Sequence, residues 1–448
     1  MLEFLWNAGA FIVAIGLLIT IHEFGHFYVA RRCGVTVERF SIGFGKPLWR
    51  RVGADGTEYV VAMIPLGGFV KMLDGRVADL TPEQYSQAFD RKPVGQRMAI
   101  VAAGPLANFA LAIVLWFGQY LLGIPSIKPV LSTPIEQSIA AKAQLPSEGI
   151  ITAVGSKAVA DWDSLNVALA GYIGADQLTL SVEQGGLTQQ FRLDTQEWKV
   201  NPEKEALTTS LGINLWLPEI LPVLAFVDES GAAHAAGIRQ GDRLTHLNGQ
   251  EITNWTSLVA SVSSQPDQPI QFEVERDGAS LQFTVVPKGT IENDKLVGKI
   301  GVAPTREAWP EQYKITQQYG VIDALVKASQ QTWDFSVLTL TTFGKLFSGD
   351  LSLNNLGGPI AIAQGAGSSA GVGLVYFLGF LAVLSVNLGI INLFPLPVLD
   401  GGHLLYYFIE LFSGKPVPER VQEIGFRIGS ALLLLLMTFA IFNDFARL

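Results

Sequence analysis

Four apolar stretches, residues 4 to 21, 98 to 124, 372 to 394 and 424 to 443, decide what this chain can fold into. About 20 predominantly apolar residues cross the hydrocarbon of a bilayer as a helix. No water reaches the backbone there, so only helices or closed barrels pair every N–H and C=O group. The chain is 49% hydrophobic and 16% charged, whereas soluble domains carry about 25% charged residues. The sequence therefore predicts an α-helical polytopic membrane protein, with four transmembrane helices and soluble parts attached. The N-terminus lacks the basic region and small-residue cleavage site of a secretory signal, so the first stretch reads as a retained span.

An even number of spans puts both termini on one side. From Arg31 to Arg97 there are 11 Lys and Arg against 7 Asp and Glu, and the loop before the fourth span holds Lys415 and Arg420. Cytoplasmic loops are enriched in Lys and Arg. Both loops therefore belong inside, with the termini and the long segment 125 to 371 outside. The net charge of −9 gives no support to nucleic-acid binding. Cys33 is the single cysteine, which excludes an intramolecular disulfide and cysteine-based metal sites.

The long segment contains an internal repeat. "IAAKAQLPSEGIITAVGSKAVADWDSL" (139 to 165) aligns without gaps on "AAHAAGIRQGDRLTHLNGQEITNWTSL" (232 to 258), a spacing of 93 residues. Trp162 falls on Trp255, Leu165 on Leu258, Thr152 on Thr245 and Ser156 on Gly249. Each copy runs on into alternating strands with "GG" or "DG" turns, a hairpin signal. The second copy resembles bacterial PDZ domains, which bind extended peptide ends as an added strand. The first departs from the pattern, with Gln144 and Glu148 in place of Gly237 and Gly241. A pair of folded spacers that bind nothing is the alternative.

Ionisable side chains within a membrane are costly and need a chemical reason. "HEFGH" at the end of the first span puts His22 and His26 one helical turn apart, close enough to chelate one ion. Glu23 lies beside them, within reach of a water as general base. Zinc suits this set: a catalytic site takes three protein ligands and keeps a fourth position open. The plainer alternative is a satisfied polar cluster at the membrane edge. His234 and His246 fall in the external segment, which leaves Asp400 or His403 as third ligand. Asp400 ends an uncharged run that begins at Leu351. His22 and His26 precede Arg31 by nine and five residues, or about 13 and 7 Å along a helix. Pro395 and Pro397 break the third span just before Asp400, as is tolerated where backbone lines a wet cavity.

A span with HExxH, a later span with "NLFPLPVLDGG" and PDZ-like repeats between them resemble the site-2 protease family of intramembrane zinc proteases. The resemblance covers nearly the whole chain. It implies His22, His26 and Asp400 as zinc ligands and Glu23 as catalytic base. It nominates Asn387, Asn392, Pro395 and Pro397 in "SVNLGIINLFPLPVLDGG" as substrate contacts. "FSIGFGKPLWRRVGADGTEYVVAMIPLGGFVKM" (40 to 72) reads as a hairpin or small sheet around an "ADGT" turn. The family has a re-entrant β-loop at this point, which adds Gly67 and Gly68 as substrate contacts. Residues 315 to 360 carry Val321, Leu325, Ala328, Thr332, Phe335, Leu338 and Thr342 at helical spacing, and amphipathic helices at the outer membrane surface are expected.

The expected fold class is thus four transmembrane helices, a membrane-associated β-hairpin loop and two mainly-β PDZ-like domains. The divisions are 1–34 (first span), 35–95 (cytoplasmic loop), 96–124 (second span), 125–220 and 221–310 (PDZ-like domains), 311–371 (juxtamembrane helices and loop), 372–412 (third span) and 420–446 (fourth span). The resemblance implies a bacterial inner-membrane zinc endopeptidase with its site near the cytoplasmic face and its PDZ-like domains in the periplasm. Its substrates would be single-span membrane proteins of the anti-sigma factor type, after a first external cut, and remnant signal peptides. A non-catalytic PDZ adaptor and a metal transporter are the alternatives from other classes.

Overall fold

The computed structural model describes residues 2–76, 79–198, 206–292, 295–348 and 357–447. These fall in two compact units, Met1–Ile124 with Thr316–Leu448, and Pro125–Ile315. Residues 349–356 of the expected juxtamembrane loop lie outside the described residues.

The chain opens with α1 (Leu2–Arg32), one helix that carries the first apolar stretch and continues through HEFGH. It stops where Gly34 takes a φ of 69° and the Val35 N–H closes on the Ala30 carbonyl at 2.9 Å. Glycine adopts that left-handed cap without strain. Strands β1 (Val37–Val52) and β2 (Glu58–Met72) follow. Arg39 to Ile42 each have two partners, residues 68 to 71 on one side and 58 to 61 on the other. Residues 49 to 52 then pair with 58 to 61. Two long strands therefore fold into a sheet of four segments, with 68–72 at one edge. At the turn, Asp55 pairs with Arg31 of α1, which ties the sheet to the helix. Then comes α2 (Val94–Leu122).

In the second unit β3 (Ile124–Ile127) leads into α3 (Ile139–Lys142), β4 (Ile150–Val154), β5 (Lys157–Ala158), α4 (Trp162–Ala170), β6 (Gln177–Gln184), β7 (Leu187–Asp194) and α5 (Leu207–Leu211). There follow β8 (Ile220–Val227), α6 (Ala232–Ala235), β9 (Arg243–Leu247), β10 (Gln250–Glu251), α7 (Trp255–Ser263), β11 (Ile270–Arg276), β12 (Ala279–Val285), β13 (Lys288–Glu292), β14 (Lys295–Lys299) and β15 (Val302–Arg306). The helix α3, strands β4 and β5, helix α4 and the start of β6 each recur 93 residues later as α6, β9, β10, α7 and β11. Strand order repeats as well: β5-β4-β6-β7, then β10-β9-β11-β12, the second sheet extended by β8 and β15. Gly237 and Gly241 have φ of 98° and 90°, and their counterparts Gln144 and Glu148 have 53° and 67°. The first copy keeps the left-handed turns with side chains that disfavour them by roughly 1 kcal/mol each.

One feature separates the copies. Asp242 is 1% exposed and accepts from Arg276 Nε and Nη2, both at 2.7 Å, and from the Arg239 N–H at 2.8 Å. Its counterpart 93 residues earlier is Gly149, and that of Arg276 is Glu183. Burial pushes the Asp242 carboxyl up, but the Arg276 hydrogen bonds, the Arg239 N–H and the guanidinium charge outweigh it and hold it below the usual range. A lowered carboxyl stabilises the fold above its unfolded pKa of about 4, and that contribution fades as pH falls through the lower folded value. Asp242→Asn is expected to destabilise the second copy by about 3 kcal/mol at neutral pH and to flatten its stability profile at acid pH. Denaturant titration of the full chain, with hydrogen exchange reporting on β9 and β11, checks both.

Returning to the first unit, the chain forms α8 (Val321–Ser348), α9 (Pro359–Val372), α10 (Leu374–Leu393), α11 (Asp400–Ser413) and α12 (Glu419–Arg447). Among the described residues, α1, α2, α10 and α12 are the helices long and apolar enough to cross a membrane, matching the four apolar stretches. The core of α1, α2 and α10 joins Ala14, Ala112, Leu115, Trp116, Leu381, Ala382, Val386 and Ile390 to Ala324 and Ala328 of α8. Helix α8 packs through Ala324, Ala328 and Thr332, whereas Val321, Leu325 and Leu338 point outward at 65%, 50% and 58% exposure. Small residues let helices approach closely when the alternative neighbour is lipid, and Phe335 and Phe343 pack against the same core alongside them. At the far end, Asp444 of α12 is buried and accepts from the N–H groups of Gly358, Ile360 and Ala361 at 2.8, 2.8 and 3.2 Å. A carboxylate from one helix thereby caps the start of another.

Candidate active site

Helix α1 presents His22 and His26 to α2. The two helices touch through glycine on both sides. A Cβ on Gly25 would strike the Ala103 carbonyl, and one on Gly104 would strike the His26 ring and reach 2.8 Å from His22 Cε1. His26 Nδ1 lies 2.9 Å from the Ile100 carbonyl. A carbonyl can only accept, so Nδ1 carries the hydrogen and Nε2 presents a lone pair. His22 Nδ1 lies 3.2 Å from Asn108 Nδ2.

The third group arrives from α11. Phe394 to Leu399 interrupt the helix run, because Pro395 and Pro397 lack the N–H a helix interior needs. Asp400 begins the next helix, whose N-terminal amides favour a negative charge. The restart is tight: a Cβ on Gly402 would lie 2.5 Å from Pro397 Cα, and one on Gly401 would strike the Leu393 carbonyl. Further along α11, Glu410 accepts two hydrogen bonds from Arg97 of α2, at 2.7 and 3.1 Å. The guanidinium of Arg97 also lies 4.8 Å from the Tyr407 ring centroid. The C-terminal half of the helix carrying Asp400 is thus fastened to α2, and its start is packed on the break after α10.

Asp400 Oδ2 lies 3.2 Å from His22 Nε2 and 3.4 Å from His26 Nε2, and the two Nε2 atoms are 3.2 Å apart. Tetrahedral zinc with bonds of about 2.0–2.1 Å spaces its ligand atoms about 3.3–3.4 Å apart. Asp400 Oδ2 is buried without a hydrogen-bond partner, although two ring nitrogens face it. Two imidazoles and a carboxylate converging on one point fit zinc in both chemistry and size. His403 is not part of the convergent group, which among the described residues consists of His22, His26 and Asp400.

These three residues line a cavity of about 670 Å³ together with Glu23, Gly68, Asn392 and His403. A Cβ on Gly68 would lie 3.0 Å from Glu23 Cγ and 2.8 Å from the Ser41 carbonyl. The sheet edge 68–72 therefore forms one wall of the cavity, close against Glu23. The remaining residues singled out from the sequence sit elsewhere. Asn387 accepts from Thr339 Oγ1 of α8 at 3.1 Å and faces a separate cavity of about 510 Å³. Pro395 lines a third, of about 600 Å³, between α2, α8 and α10. Pro397 packs at the positions of Gly425 and Gly429 on α12. Gly67 has a φ of 121° under the Phe44 ring. Asn108, Gly104, Gly25 and the Arg97–Glu410 pair were not singled out. A lone asparagine in the second apolar stretch was the available signal, since a polar residue inside a span carries a function by default.

Two histidines a turn apart, a glutamate between them and an aspartate from a distant helix, all within a bundle of membrane-length helices, define a metallopeptidase built to work inside the bilayer. The chain matches the profile of Peptidase family M50 over residues 10–436. It belongs to that family, and it is an intramembrane site-2 zinc metalloprotease. It is 50% identical over 450 residues to the regulator of sigma-E protease RseP of Escherichia coli (strain K12), with 100% of both chains covered. A Haemophilus influenzae protein named regulator of sigma E protease is 45% identical over 449 residues, again with 100% of both covered. A Vibrio cholerae protein whose name calls it a zinc metalloprotease is 48% identical over 452 residues, with the same full coverage.

Proposed function

We propose that this protease holds zinc through His22, His26 and Asp400 and uses Glu23 to move the proton in cleaving single-span membrane proteins. The observation that carries this reading is the 3.2, 3.2 and 3.4 Å triangle of donor atoms beside Glu23. When bound, zinc acts as a Lewis acid toward the peptide carbonyl and acidifies water at neutral pH. The Glu23 carboxylate takes a proton from the attacking water and passes it to the leaving amine. Asn392, on the cavity wall, offers an amide N–H to the developing oxyanion.

A peptide bond inside a helix is closed to attack, and once unwound its N–H and C=O groups need partners. The edge 68–72 offers such partners by accepting the substrate as one more strand. Gly68 keeps a side chain out of the narrow space between that strand and α1, and Gly67 makes room for the Phe44 ring beside it. Asn387 and Pro395, in the apolar cavities beside α8, would meet the substrate helix before it unwinds. Pro397 holds the break that aims Asp400.

The positive-inside bias supports a site near the cytoplasmic face of the inner membrane, with both termini and the unit Pro125–Ile315 in the periplasm. The two copies in that unit serve as PDZ-like domains that screen incoming chains by size or by their free ends. The sigma-E regulators among the relatives support a membrane-bound anti-sigma factor as substrate class.

The test uses purified full-length protein in liposomes with a single-span peptide that lacks a folded external domain. Cleavage within the apolar segment, read by product mass, is expected; a zinc chelator should abolish it and added zinc restore it. Cleavage that persists after complete zinc removal would overturn the proposal.

A further inference from the structure

Asn108 on α2 is 0% exposed, and its side chain makes one hydrogen bond among the described residues, to His22 at 3.2 Å. Its Oδ1 has no partner. Its backbone carbonyl accepts from Ser385 Oγ at 2.7 Å, which fixes the main chain but leaves the amide free to turn. A buried amide with an unpaired atom destabilises a helix bundle relative to an apolar side chain of the same volume. The residue therefore points to a task at His22.

That task follows from imidazole chemistry, given the zinc reading above. If His22 coordinates through Nε2, its ring hydrogen sits on Nδ1, and Nδ1–H needs an acceptor. The oxygen and nitrogen of an asparagine are assigned from the hydrogen-bond network, not from shape. With Nδ2 toward His22, the amide donates to Nδ1 and leaves the ring hydrogen on Nε2, facing Asp400. Turned by half a rotation, Oδ1 accepts from Nδ1–H and frees Nε2 as a lone pair. His26 meets the same requirement through the Ile100 carbonyl at 2.9 Å. Both acceptors come from α2, eight residues apart, on the face that carries Gly104.

We infer that Asn108 is a positioning residue: its amide oxygen fixes His22 in the Nδ1–H form, with Nε2 aimed at the point it shares with His26 and Asp400. Outer partners of this kind, commonly carboxylates or carbonyls, set ring orientation and ligand basicity.

The test measures zinc affinity of the full-length protein in detergent by competition with a chromogenic chelator, alongside melting of the metal-free form. Asn108→Leu keeps the volume and removes the acceptor. It is expected to weaken zinc binding about 10–100-fold while the metal-free protein melts no lower than wild type. Asn108→Asp can accept but not donate while ionised, and is expected to bind zinc at least as tightly as wild type. A leucine variant with wild-type zinc affinity overturns the inference. So does an aspartate variant that loses zinc, and that result decides the matter alone if the leucine variant fails to fold. A wild-type chain that takes up no zinc sinks the reading of the site itself, whereas uptake indifferent to residue 108 sinks only this inference.

Discussion

Glu23→Gln is expected to slow peptide cleavage about 10²–10⁴-fold while the protein keeps its full zinc content. The glutamate lies between the two histidines on α1 but outside the convergent trio, so its carboxylate is free for proton transfer. Glutamine has the same shape and still fits against the wall at Gly68, where the glutamate Cγ has little room. Fold and metal should therefore survive, and only the proton acceptor is lost. That loss corresponds to about 3–5 kcal/mol of transition-state stabilisation. Single-turnover cleavage in liposomes, paired with metal analysis of the same sample, measures both halves. A variant that cleaves at the wild-type rate would assign the proton to another group, and one that loses zinc would make Glu23 a ligand or a structural residue.

The legible parts of this molecule were those with a strong period or a long run. The apolar stretches are long enough that no soluble alternative competes, and four helices carry them. The HEFGH spacing needed only a helix to bring His22 and His26 together, and Pro395 with Pro397 marked the break before Asp400. The repeat is legible at 93 residues, and the elements recur at that interval, with the left-handed turns kept at Gln144 and Glu148 although the glycines of the second copy are absent there.

What stayed hidden depended on partners far along the chain. Alternation in 40 to 72 announces strands, but not that Arg39 to Ile42 pair on both sides. The stripe expected on α8 mixes two faces: Ala328 and Thr332 are buried and Phe335 packs on the core, whereas Val321, Leu325 and Leu338 point outward, since hydropathy cannot separate a lipid-facing side from a buried one. Asn387 shares its motif with Asn392, but five residues on a helix turn it to another side, toward Thr339. Arg97 and Glu410 meet across 313 residues, and no local pattern couples them.

Asp400→Asn tests whether the trio is built for a metal or for itself. Asparagine keeps the shape but removes the charge, and zinc affinity is expected to fall by more than the roughly 100-fold that loss of a mere outer partner brings. Cleavage should disappear with it. The metal-free melting temperature gives the sharper sign. Asp400 Oδ2 faces the two imidazoles at 3.2 and 3.4 Å without a hydrogen bond, so with neutral imidazoles the substitution removes a buried charge that has no counter-charge and should leave metal-free stability unchanged or raised. Helix α11 stays in place because Arg97 holds Glu410 and Gly401 and Gly402 pack against the break. Zinc at 1,000 times its dissociation constant adds about 4 kcal/mol to the wild type, and the variant should show little of that gain. Were Asp400 instead the partner of charged imidazoles in a purely structural cluster, the signs would reverse: asparagine would lower the metal-free melting temperature, and zinc would change neither protein. Melting curves of the two proteins, with and without zinc, separate these outcomes in one experiment.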